Sequence, residues 1–98
     1  MDEKIVSKIK AELNCSDELA QKMSSQLKTL DKKLKPVVEA WLHDDKIGFD
    51  LNGITLDLIM EKEHVSYIQA IFSMNTLLSN PQFAAIYNEF DFSADMLR

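Results

Sequence analysis

Glycine and proline are scarce in this 98-residue chain, with two of each. Sandwiches and barrels need many tight turns, so an all-β fold is excluded and helices are favoured. Two glycines, Gly48 and Gly53, are also too few for a phosphate-cradling loop or a Gly-x-Ser-x-Gly turn. Cysteine occurs once, at Cys15, and cannot form an internal disulfide. Arginine occurs once, at Arg98, so the side chain best suited to reading bases and phosphates is nearly absent. No apolar run is long enough to cross a membrane. With the charged Met-Asp-Glu-Lys start, this leads us to expect no signal peptide, no membrane helix and a cytoplasmic location.

Apolar residues make up 46% of the chain and charged residues 28%, which is ordinary for a folded protein. The length fits one helical domain over residues 1–98, with 91–98 a tail that either packs back or stays loose. The net charge of −5 is unevenly placed. Residues 1–46 hold nine lysines against nine acids, whereas residues 47–98 hold Lys62 and Arg98 against seven acids. An acidic surface repels phosphate backbones and anionic lipid, so nucleic-acid and membrane binding are disfavoured.

Hydrophobic periodicity then places the elements. Ile5, Val6, Ile9 and Leu13 repeat on one face of a first helix capped by Asp2 and stopped at Asn14. Ser16 caps a second, whose stripe runs Leu19, Met23, Leu27, Leu30 and Leu34. Pro36 cannot sit inside a helix, so the second ends near Asp31–Lys33 and a third starts near Leu34–Pro36. Val37, Val38, Trp41 and Leu42 form its apolar face. In size and layout these three helices are similar to ubiquitin-associated-like modules. Those modules carry a hydrophobic, glycine-containing loop after the first helix; here it reads Leu13-Asn14-Cys15-Ser16, and no function is carried over.

Ile47, Phe49 and Leu51 alternate with Gly48 and Asp50 before the turn signal Asn52-Gly53. Two readings compete: a hairpin over residues 47–56, or a helix over 56–62 capped by Thr55. The helix is preferred, since only two residues separate Gly53 from Leu56. Ser66 and Gln69 form a capping box for a helix running to Ser79. Asn80-Pro81 closes it and opens a last helix, with Phe83, Ile86, Tyr87 and Phe90 on one face. The expected fold is all-α: a bundle of about five short helices with at most one short hairpin near residues 47–56.

Little in the chain suggests catalysis. Glu61 and His64 are three apart and Glu39 and His43 four apart, but a carboxylate-bridged metal site needs two such motifs and two more glutamates. No metal or other cofactor is expected. Cys15 with His43 or His64 lacks any flanking motif, and a lone cysteine is more often a packing residue. Lys28, Lys32, Lys33 and Lys35 cluster without aromatic or arginine company, which fits a solvated helix end better than a nucleic-acid contact. No enzyme is expected.

A partner surface is better supported. Tyr67, Ala70, Ile71, Met74, Leu77 and Leu78 fill one arc of the helix over 67–79. Ile68 and Phe72 lie on another side, bordering Asn75. Such a helix is either buried nearly all round or carries a second interface. The leading expectation is a non-enzymatic protein-interaction module that binds another protein or a second copy of itself through Ile68, Phe72, Asn75 and Tyr87. The alternative is an acidic inhibitor that mimics nucleic acid in a basic groove of its partner.

Overall fold

Three helix starts marked by a hydroxyl residue are capped by that hydroxyl in the computed structural model, which describes residues 2–90. Ser16 Oγ accepts from the Leu19 amide at 3.1 Å, opening α2 (Asp17–Leu27). Thr55 Oγ1 accepts from the Leu58 amide at 3.0 Å, opening α4 (Leu56–Glu63). Ser66 opens α5 (Tyr67–Ser79) through a complete capping box: Gln69 Oε1 accepts from the Ser66 amide at 3.0 Å, and Ser66 Oγ accepts from the Gln69 amide. Each hydroxyl satisfies an amide that the first turn leaves without a helical partner. The expectation for the tail over 91–98 lies outside the described residues.

The fold is all-α with one hairpin. Six α-helices, two 3-10 turns and a two-stranded antiparallel pair make up the described residues. The contacts gather into two compact units, one over Met1–Ile47 and one from Gly48 onward.

In the first unit, α1 (Asp2–Leu13) packs against α2. Asp2 is thus the first helical residue and not the expected cap. Asn14 terminates α1 at φ 52°, in the left-handed region that asparagine tolerates, and its amide donates to the Lys10 carbonyl at 2.8 Å. The α2 helix ends at Leu27, earlier than its apolar stripe implies. Asp31 intervenes: its carboxylate accepts from the Lys33 amide at 2.9 Å and caps a 3-10 turn over Lys32–Leu34. α3 (Lys35–Leu42) follows with Pro36 in its first turn, where the missing N–H costs nothing. Ile9, Ala20, Leu34, Val37 and Trp41 are the buried apolar residues of this unit. Trp41 keeps its polar end satisfied, since Nε1–H donates to Glu12 Oε1 at 2.8 Å.

In the second unit, both readings of residues 47–56 hold together: the hairpin is shorter than its expected span, and the helix runs one residue further than expected, to Glu63. β1 (Asp50–Leu51) pairs with β2 (Ile54–Thr55) in the register Asp50↔Thr55 and Leu51↔Ile54. Asn52 and Gly53 turn the chain at φ 52° and 94°, and Asp50 Oδ1 accepts from the Gly53 amide at 2.6 Å. The two residues that separate Gly53 from Leu56 are the second strand. Thr55 ends it and caps α4 at once.

α4 ends at His64, held at φ 58°, and packs against α5. The expected last helix breaks in two: α6 (Pro81–Ala85), then a 3-10 turn over Tyr87–Glu89. Asn80 does not cap α6 with its side chain; Nδ2 instead donates back to the Thr76 carbonyl at 2.8 Å. Ile54, Leu56, Ile59, Tyr67, Ile68, Ala70, Ile71, Met74, Leu77 and Tyr87 are buried here.

Candidate interaction surface

The four residues singled out for a partner separate by burial. Ile68 and Tyr87 have no exposed surface at all, while Phe72 and Asn75 are half-buried. With six of its thirteen residues buried, α5 is a helix enclosed on most sides, one of the two arrangements its sequence allows. Ile68 and Tyr87 therefore offer nothing to a partner in this conformation, because a side chain at zero exposure makes all its contacts inside the chain.

Tyr87 belongs to a polar cluster instead. Its hydroxyl donates to Glu63 Oε2 at 2.5 Å, and the Ser73 hydroxyl donates to Glu63 Oε1 at 2.8 Å. Burial, followed by the Glu63 hydrogen bond and charge, pushes the Tyr87 phenol well above its ordinary value. The Phe83 ring meets the Tyr87 ring edge-on at 6.0 Å and the Phe90 ring at 5.2 Å. A phenol held protonated and enclosed is a structural group, not an acid or base poised for catalysis near neutrality.

Exposed large apolar residues occur in both units: Ile86 of the second, expected on the apolar face of the last helix, is 44% exposed, and Leu19 and Ile47 of the first are exposed too. α2 packs its small residues Ala20 and Ser24 inward, both essentially buried. That choice rotates the larger stripe outward: Leu19 is 46% exposed, and Met23, Leu27 and Leu30 are only half-buried. Ile5 of α1 and Val38 of α3 are half-buried too. Ile5, Leu27, Leu30 and Val38 together floor a groove of about 400 Å³, with Lys28, Lys35, Asp31 and Glu39 on its walls. Periodicity alone assigns Leu27 and Leu30 to the core. The sign that they are not is the Ala20/Ser24 pair, four residues apart, which lets a neighbouring helix approach closely along a different line.

Two lysines of the cluster border this groove. Lys28 and Lys35 stand on its wall, and Lys32 and Lys33 are exposed on the adjoining 3-10 turn. Lys8 pairs with Asp44 just past α3. That hydrogen bond, reinforced by the lysine's charge, lowers the Asp44 carboxyl below its usual value. The Lys8 ammonium also sits 5.4 Å from the centre of the Trp41 ring.

A second, polar groove of about 510 Å³ runs between α1 and α2, with Glu3, Ser7, Asp17 and Gln21 among its lining. Ser24 borders it, and its buried hydroxyl has no hydrogen-bond partner. That oxygen has almost no accessible surface, so it is enclosed by packing and out of a ligand's reach.

The residues weighed for metal chemistry stay apart from any such cluster. Among the described residues no group of three or more His, Cys, Asp or Glu side chains is placed to hold a metal ion. Glu61 and His64 are exposed at the end of α4, Glu39 lies on the groove wall, and His43 is the exposed C-cap of α3. Cys15 is half-buried in the α1–α2 loop. No described helix is long and apolar enough to cross a membrane. No family model matches the chain, and no curated protein and no solved structure matches it either.

Proposed function

We propose that this chain is a non-enzymatic protein-interaction module whose partner docks in the apolar groove of the first unit. The observation that carries the reading is the outward-turned stripe. α2 buries Ala20 and Ser24 and leaves Leu27 half-buried, beside Ile5, Val38 and the Leu30 that follows the helix. Apolar surface gathered into a concave site gains more from a partner than the same residues scattered singly. The partner is another protein or a second copy of this chain, and a cytoplasmic location, consistent with the lone Cys15, belongs to the same reading.

Selection of displayed random peptides against the chain tests this, with the footprint of each binder read from amide shifts in 1H–15N spectra. Binders should move Ile5, Leu27, Leu30 and Val38 and should lose affinity for Leu30→Ser. Binders that move only residues of the second unit would refute the proposal.

The acidic-inhibitor reading draws support from the second unit, where Asp50, Asp57, Glu61 and Glu89 are all exposed. It requires tight binding to a basic polymer such as polylysine that weakens steeply with salt; weak binding indifferent to salt removes it.

A further inference from the structure

Resting on the interaction reading above, we infer that the groove of the first unit takes an acidic amphipathic helix, with apolar side chains in the groove and Asp or Glu against its lysine rim. The floor selects for apolar anchors, since Ile5, Leu27, Leu30 and Val38 offer no hydrogen-bonding side chain. The rim selects for charge. Of the wall residues Lys28 and Lys35 are basic and Asp31 is acidic, and exposed Lys32 and Lys33 on the adjoining turn tip the local balance to positive; the Asp31 carboxylate caps the Lys33 amide. Glu39 adds one acid on the α3 side of the wall. Lys32, Lys33 and Lys35 are exposed, so their ammonium groups can move towards a bound anion with little desolvation.

Backbone chemistry favours a helical ligand over an extended one. The amides of Lys28, Thr29, Lys33, Leu34 and Lys35 all donate within this segment, to Ser25, Gln26, Asp31 and Lys32. An added strand needs a row of open backbone groups, and most amides of this segment are already engaged. A helix brings its own backbone satisfied and needs only side-chain insertion, with anchors at i, i+3 or i+4 and i+7. Nucleic acid suits the site poorly, because the floor is apolar and neither arginine nor an aromatic ring accompanies the lysines. Residues 1–46 hold nine lysines against nine acids, so the charge of this part of the chain does not itself oppose an acidic ligand.

Two fluorescein-labelled designed helices test the inference: one with leucines at the anchor spacing flanked by glutamates, and a twin with lysines replacing the glutamates. Binding is read by fluorescence anisotropy with the full chain, and folding of every variant by circular dichroism. The glutamate helix should bind about tenfold tighter than its twin, a difference of about 1.4 kcal/mol. The triple variant Lys32→Glu, Lys33→Glu, Lys35→Glu should lose or reverse that preference, and both Leu30→Ser and the milder Val38→Thr should weaken both peptides. Equal binding of the twins, or no binding by either, overturns the acidic-helix inference, while the groove itself is still judged by its own peptide selection. Full binding by folded Leu30→Ser and Val38→Thr overturns the inference and the groove reading together.

Discussion

The Tyr87 hydroxyl donates to the Glu63 carboxylate at 2.5 Å and so ties the final 3-10 turn to the last residue of α4. Ser73 of α5 donates to the other oxygen of the same carboxylate, so one acid joins three elements. Lys62 covers the arrangement, its ammonium 5.7 Å from the Tyr87 ring centre. A hydrogen bond to a charged acceptor is worth more than a neutral one, and here the donor is fully enclosed. Tyr87→Phe should therefore cost about 1.5–3 kcal/mol in urea unfolding.

The same pair sets an alkaline limit. In the folded chain the phenol ionises above its ordinary value of 10.0, so below that pH its contribution to stability is complete. As pH rises beyond it, the unfolded phenol loses its proton first and stability falls. Unfolding curves recorded across this range should show that decline in the parent and a shallower one in Tyr87→Phe. Parallel declines in the two proteins would mean that another group is responsible.

Ser24 presents the opposite case, a buried hydroxyl with no partner. Removing an unsatisfied polar atom from an enclosed site relieves a desolvation cost and leaves almost no void. Ser24→Ala should be neutral or stabilise the chain by up to about 1 kcal/mol. A clear loss of stability would show that the hydroxyl has a partner, such as an enclosed water.

The two glycines should respond in opposite directions. Gly53 sits at φ 94° in the hairpin turn, where a Cβ meets no atom but the backbone conformation itself is strained. Gly53→Ala should cost about 1–2 kcal/mol. Gly48 has open space around a Cβ and no positive φ, so Gly48→Ala should gain about 0.4–1 kcal/mol by restricting the unfolded chain. Thermal unfolding of both variants checks the pair.

Ile68 is tested by charge. At zero exposure it cannot accept a carboxylate without leaving an unpaired buried ion, so Ile68→Asp should abolish the native 1H–15N spectrum of the second unit. Ile68→Ala should cost about 2–5 kcal/mol. Phe72, half-buried, should tolerate polar substitution better. A folded Ile68→Asp would restore this position as a surface.

Where a helix or turn begins is a matter of short-range chemistry, and such features were readable along the chain. Ser66 with Gln69, Ser16, Asn52-Gly53 and Pro36 each act on backbone groups within four residues of themselves, so their effect needs no distant neighbour. Even here, two overlapping local signals that look like rivals coexist: Thr55 ends a strand and caps a helix because its backbone and its side chain serve different partners. The capping role of Asp31 is masked in the sequence by the apolar stripe, which runs through Leu30 and Leu34 on either side of it.

Which face of a helix goes inward is another matter. The bulky stripe Leu19-Met23-Leu27, continued by Leu30 just past α2, outweighs Ala20 and Ser24 by hydrophobicity, yet it is the small pair that is buried. Along α5 the pattern allowed both an enclosed helix and a second interface, and long-range packing chose enclosure for Ile68. Periodicity reports how much apolar surface a helix carries and at what angle. How much of it finds cover depends on residues far away in sequence, and the uncovered remainder at Ile5, Leu27, Leu30 and Val38 came into view only once the helices were assembled.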